Sequence, residues 1–233
     1  MMKKQDEKAR RGDAILRTHP FPTLIAQTLQ LACLAEDASP GAVQVLAKSA
    51  LVFAAMSLEC AATSCLELTK IPKGPHGKID RSLSLIDKFD VLHWFATRAA
   101  LDRGHRRVQK ISDLVLARNR IVHARVERES IGASREYVVG EGVETGHDKG
   151  TWNALGIPKD ELSWNGEHAR LAITAAVEFL NYFFFEACKI EQKKVLAMLC
   201  TSSGDAIFHK PWESQVLSSA KPKFGLELRF LGF

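Results

Sequence analysis

A chain of 233 residues with 46% hydrophobic and 25% charged side chains has the balance of a soluble globular protein, with apolar material for one sizeable core. Five cysteines (Cys33, Cys60, Cys65, Cys188, Cys200) are odd in number and lack Cys-x-x-Cys spacing, which excludes a zinc ribbon and a disulfide framework and predicts a reducing compartment. The charged amino-terminal residues have no apolar run behind them, and the longest charge-free apolar run, residues 49–58, is too short to span a bilayer, so a cytoplasmic protein without membrane association is expected.

Residues 1–40 read as an extension with one short helix over 23–36, whose apolar set is Leu24, Ile25, Leu29, Leu31 and Leu34. Ser39-Pro40-Gly41 breaks it, with Ser39 placed to cap the next helix and Pro40 at its first position. That next helix, about 42–69, is the longest and rich in alanine, which favours helix and lets a neighbour pack closely. Glu59 stands in its middle, either as an edge carboxylate or as an internal partner for a cation elsewhere. A Pro/Gly-punctuated loop over 71–77 precedes a helix from about 82 to 93.

The spacing then predicts a helix over 108–127 with an apolar stripe of Ile111, Leu114, Val115 and Val122. Arg118 sits on that stripe, Asn119 follows Val115 by four, and His123 follows Asn119 by four. Strong hydrogen-bonding groups on a face that should be apolar cost stability unless they are paired, placed at an interface or put to use. From 129 to 166 glycines recur and helical periodicity stops, so this stretch reads as an insertion in which Tyr137, Val138 and Val139 form one strand of a small hairpin. Its Gly140–Gly146 glycines lack the strand–turn–helix context and lysine of a phosphate loop. A last strong helix spans 167–199, with Phe183-Phe184-Phe185 covering most of its circumference, which suits a buried or dimer-contacting helix. Residues 200–233 read as an irregular tail, with Leu226 to Phe230 alternating like an edge strand. The whole is expected to be all-α, an antiparallel four-helix up-down bundle over 41–199 with a glycine-rich insertion before the last core helix.

The net charge of +5 is not evenly spread. From Arg98 to Arg128 nine basic residues face only Asp102, Asp113 and Glu127, a net of +6, so the rest of the chain is near −1. Local basicity of this kind suits a polyanion such as nucleic acid, and equally a solvated basic face without a ligand. Arg106, Arg107, Lys110, Arg120 and Arg125 are the phosphate-binding candidates, with Glu59 as an internal partner for Arg118. A histidine side chain can give or take a proton, and an arginine can hold two phosphate oxygens in a fixed fork. On one helix Arg118 and His123 lie about 140° apart, so a distorted helix end or a second subunit is needed to join them at one ligand. With no metal cluster in view, the set suits RNA cleavage through the 2′-hydroxyl, with His123 as base or acid and Arg118 offsetting charge on phosphorus.

The run Arg118-Asn119-Arg120-Ile121-Val122-His123 resembles the signature of the HEPN superfamily, arginine, a polar residue, a short spacer and histidine on the third core helix. The long helix carrying Ala55-Met56-Ser57-Leu58-Glu59 is similar to the family's first core helix, and the resemblance covers roughly residues 41–195 without the insertion. It implies a homodimer whose two arginine–histidine pairs share a cleft, with Arg118 and His123 catalytic and Asn119 supporting them. It also implies a metal-independent ribonuclease that needs no cofactor, in a toxin–antitoxin or defence setting with RNA as partner and a cognate antitoxin protein. Members that keep the fold without the activity imply a second reading, a helical module that binds RNA, a nucleotide or a protein partner.

Overall fold

The computed structural model describes residues 18–69, 77, 81–123, 136–139, 142–145, 150–203 and 206–233. It is mainly helical, with three short antiparallel hairpins among the described residues. Helix α1 (Phe21–Glu36) begins two residues earlier than expected, because Pro22 lies in the first turn, where its missing N–H costs nothing. Helix α2 (Pro40–Glu67) starts at the position predicted from Ser39 and Pro40. Its buried face is largely alanine (Ala47, Ala50, Ala54, Ala55, Ala61 and Ala62), together with Leu51 and Leu58. That small-residue face lets α2 serve as the central helix, packed against α1, α3 (Leu85–Thr97), α4 (Arg106–Val122) and α5 (Gly166–Asn181). By length and composition α2 could cross a membrane, yet half of its most apolar window is buried inside the fold, as in a core helix.

Helix α3 is capped by Ser84, whose side chain accepts the Asp87 N–H, and it ends at Arg98 in the left-handed region with φ of 63°. The turn into α4 is fixed by carboxylates of α3. Asp90 accepts the Leu101 N–H at 2.8 Å, and Arg103 donates to Asp87 at 2.6 Å and to Asp90 at 3.0 Å. The Ser84 hydroxyl, then the Arg103 guanidinium, hold the Asp87 carboxyl below its ordinary range. The Leu101 N–H, then Arg103, do the same for Asp90.

Helix α5 enters through a capping box in which Asn165 and His168 exchange side-chain-to-backbone hydrogen bonds. Gly166 is required at its first position, since a Cβ there would lie 2.9 Å from the Glu36 Cα. The single helix expected over 167–199 is broken. After Asn181 the chain widens into a π-helical turn, Tyr182–Ala187, passes Lys189 at φ of 52°, and resumes as α6 (Gln192–Leu199). The widened turn lets Phe183 and Phe184 both lie buried in the core of the same chain, where Phe89 meets Phe179 and Phe183 edge-on.

Within the insertion, the hairpin expected at Tyr137 pairs β1 (Glu136–Val139) with β2 (Gly142–Thr145). A second hairpin, β3 (Thr151–Trp152) and β4 (Ile157–Pro158), is tied to the body by buried Leu155 and Ile157. The segment after Leu199, read as irregular, contains a hairpin (β5 Thr201–Ser203, β6 Ala206–Phe208) and helices α7 (Pro211–Ser218) and α8 (Ala220–Phe224). Leu226, Leu228 and Phe230 are buried in alternation with exposed Glu227 and Arg229, but they do not form the expected edge strand. The stretch runs into a 3-10 turn, Arg229–Leu231, and Phe230 packs on Phe21, so core contact replaces strand pairing.

Candidate functional site

Helix α4 shows its core face at Val108, Ile111, Leu114 and Ala117. Arg118 continues the Ile111 position by two turns and points at α2. Its Nη2 donates to both oxygens of Glu59, at 2.9 and 3.0 Å, and its Nη1 donates to the Asn119 side-chain oxygen at 2.8 Å. The Arg118 side chain is 18% exposed and Glu59 38%, so the pair is better shielded than a surface bridge without being a buried one. The Arg118 Nε is buried with no hydrogen-bond partner among the described residues. Glu59 is thus paired with Arg118, as one of its two readings had it, while its side chain still reaches solvent as an edge carboxylate does.

The helix does not reach residue 127. It ends at Val122, and His123 is the C-cap, with φ −116° and ψ 47°. The His123 N–H makes the last helical bond, to the Asn119 carbonyl at 2.9 Å. Asn119 thus joins the set, its side chain to Arg118 and its backbone to His123. Among the described residues no direct hydrogen bond links Arg118 to His123. Val122, expected on the core stripe, is 50% exposed because the helix terminates there, and His123 is exposed beside it.

The basic window is less positive in space than along the chain. Lys110 pairs with Glu178 of α5 at 2.8 Å, and Arg107 with Glu186 of the π-helical turn at 3.3 Å. Arg107 also lies over the Tyr182 ring, on which the His105 ring stacks at 4.0 Å and 6°. Burial raises the Tyr182 hydroxyl above its ordinary value. Arg103 is held by Asp87 and Asp90, and Arg98 lies over Trp94. Arg106 is exposed at the start of α4, Arg120 is half-buried near its end, and Arg125 lies outside the described residues. Sequence reasoning missed Glu178, Glu186 and the His105–Tyr182 stack.

Cysteine chemistry is disfavoured at three positions. Burial pushes the Cys65, Cys188 and Cys200 thiols up to about 12, so each stays protonated near neutrality and is a poor nucleophile. Among the described residues no group of three His, Cys, Asp or Glu side chains is arranged to hold a metal ion. No protein-family model, curated protein or solved structure matches the chain.

Proposed function

We propose that the chain is a metal-independent endoribonuclease of the HEPN type. On this reading α2 to α5 form a four-helix up-down bundle that dimerises in the cytoplasm, bringing two Arg118–His123 sets to one RNA-binding cleft. The observation that carries the reading is the Arg118–Glu59–Asn119 arrangement at the end of a helix that stops at an exposed histidine. Glu59 and Asn119 fix the guanidinium in place, so no ordering is needed as charge develops on a phosphate beside it. His123, freed from helical geometry, is able to turn toward a strand laid across the helix end.

The chemistry balances without a cofactor. The 2′-oxygen loses its proton to one histidine and bonds to phosphorus, the bond from phosphorus to the 5′-oxygen breaks, and a second histidine protonates that leaving oxygen. The products are a 2′,3′-cyclic phosphate and a 5′-hydroxyl. Two copies of His123 in a dimer supply the two roles. A toxin or defence ribonuclease held in check by an antitoxin protein is the biological setting proposed.

The second reading, a non-catalytic module that binds RNA, a nucleotide or a protein partner, draws on the same ion pair, because Glu59 offsets the charge that would otherwise face a phosphate. Cleavage of an end-labelled RNA in EDTA by Arg118→Lys and Arg118→Ala separates the two. Lysine keeps the charge and loses the planar fork, so both variants should slow cleavage, alanine by about 10²–10³-fold. Undiminished cleavage by Arg118→Ala would sink the reading that places the reaction at Arg118 and His123, and binding without cleavage by the unaltered chain would establish the module.

A further inference from the structure

A groove of about 700 Å³ runs between α4 and the β3–β4 hairpin, away from the Arg118 face. From α4 it is lined by Arg106, Gln109, Ser112 and Asp113, and from the hairpin side by Thr151, Trp152, Asn153 and Lys159. The helical residues at 106, 109 and 113 share one stripe, since seven residues return to within about 20° of the same direction. Asp113 anchors the opposite wall, because its Oδ2 accepts the Ala154 N–H at 2.8 Å and the Leu155 N–H at 3.2 Å. The groove is therefore built by the fold, and the one acid in it is turned to backbone amides.

Its cations differ from those elsewhere on α4. Arg107, Lys110 and Arg118 each have a carboxylate within 4 Å. Among the described residues, Arg106 and Lys159 have none. Lys159 instead holds its ammonium 5.2 Å from the centre of the Trp152 ring. Two cations without acidic partners, exposed Gln109 and Asn153 amides and an aromatic wall are the groups that grip a nucleic-acid strand. The same stripe continues to Arg120, and from Arg106 to His123 the rise along the helix is about 25 Å, several nucleotides of single strand.

We propose that this groove holds the backbone of single-stranded RNA on one side of the cleaved bond, with Arg106 and Lys159 taking phosphates and Asn153 and Gln109 facing sugars or base edges. The proposal rests on the ribonuclease reading, since it gives that site's substrate its path. It also assigns a role to the insertion, which supplies the hairpin wall.

The test uses the full chain carrying His123→Ala, so that the strand stays intact, and a fluorescein-labelled 12-nucleotide RNA followed by anisotropy across a salt series. Adding Arg106→Ala and Lys159→Ala should weaken binding about tenfold and reduce the slope of log affinity against log salt by about 1.4, from roughly 0.7 per phosphate contact on a single strand. Arg106→Lys with Lys159→Arg, which keeps both charges, should restore most of the slope. Unchanged affinity and slope in the double alanine variant would overturn the proposal, as would absence of RNA binding by the His123→Ala chain. The two readings fail separately. Binding lost on groove substitution, with RNA left intact by the unaltered chain, leaves the groove standing and removes the ribonuclease. Cleavage by the unaltered chain, with binding indifferent to Arg106 and Lys159, removes only the groove.

Discussion

His123→Ala is expected to slow RNA cleavage by about 10²–10⁴-fold, the usual contribution of a positioned proton-transfer group, while stability changes by no more than about 0.5 kcal/mol. The separation of the two effects follows from where His123 lies. Its side chain is exposed at the end of α4, and its bond to the fold is the backbone N–H donated to Asn119, which alanine retains. Arg118 differs, because its removal also strands Glu59. Steady-state cleavage rates beside urea midpoints for the same preparation check the claim. Activity and stability falling together would make His123 a structural residue.

Phe89→Ala is expected to cost about 3–5 kcal/mol, the range for deleting a buried aromatic ring whose cavity closes only in part. Phe89 is fully buried on α3, with its ring centre 4.8 Å from those of both Phe179 and Phe183, at interplanar angles of 82° and 69°. It thus joins α3 to the point where α5 widens into the π-helical turn. Urea unfolding followed by circular dichroism reads the loss directly. A loss below about 1 kcal/mol would mean that the three rings do not form the core contact described, since truncating a large side chain to alanine in a packed interior costs about 2 kcal/mol or more. Because Glu178 and Glu186 sit on α5 and the π-helical turn and hold Lys110 and Arg107, loosening this junction should also weaken the setting of α4.

The sequence made the helical frame legible where signals were local. Ser39 and Pro40 marked the start of α2, Tyr137 to Val139 marked a hairpin strand, and the stripe through Ile111 and Leu114 marked the buried face of α4. It also put Arg118 and Glu59 in reach of each other as one of two open readings. What escaped it depended on distant partners. A net charge of +6 in one window overstated the field, because Glu178 and Glu186 stand 68 and 79 residues away from the cations they meet. The end of α4 at His123 carried no glycine or proline to announce it. The break after Asn181 was hidden in a run of phenylalanines that suits any buried helix, and the wider turn there accompanies the burial of Phe183 and Phe184. The alternation from Leu226 to Phe230 correctly told which side chains are buried, but alternation cannot say whether a neighbouring strand exists to pair with. The groove was equally out of reach, since Arg106 and Lys159 belong to distant segments that the Asp113 tether and the burial of Leu155 and Ile157 bring together.

The most direct test of RNA cleavage through the 2′-hydroxyl compares one RNA strand with its fully 2′-deoxy counterpart, each incubated with the full chain in EDTA. The expected result is cleavage of the RNA alone, into fragments ending in 2′,3′-cyclic phosphate and 5′-hydroxyl. Cleavage of the deoxy strand, or RNA fragments ending in 3′-hydroxyl, would contradict it.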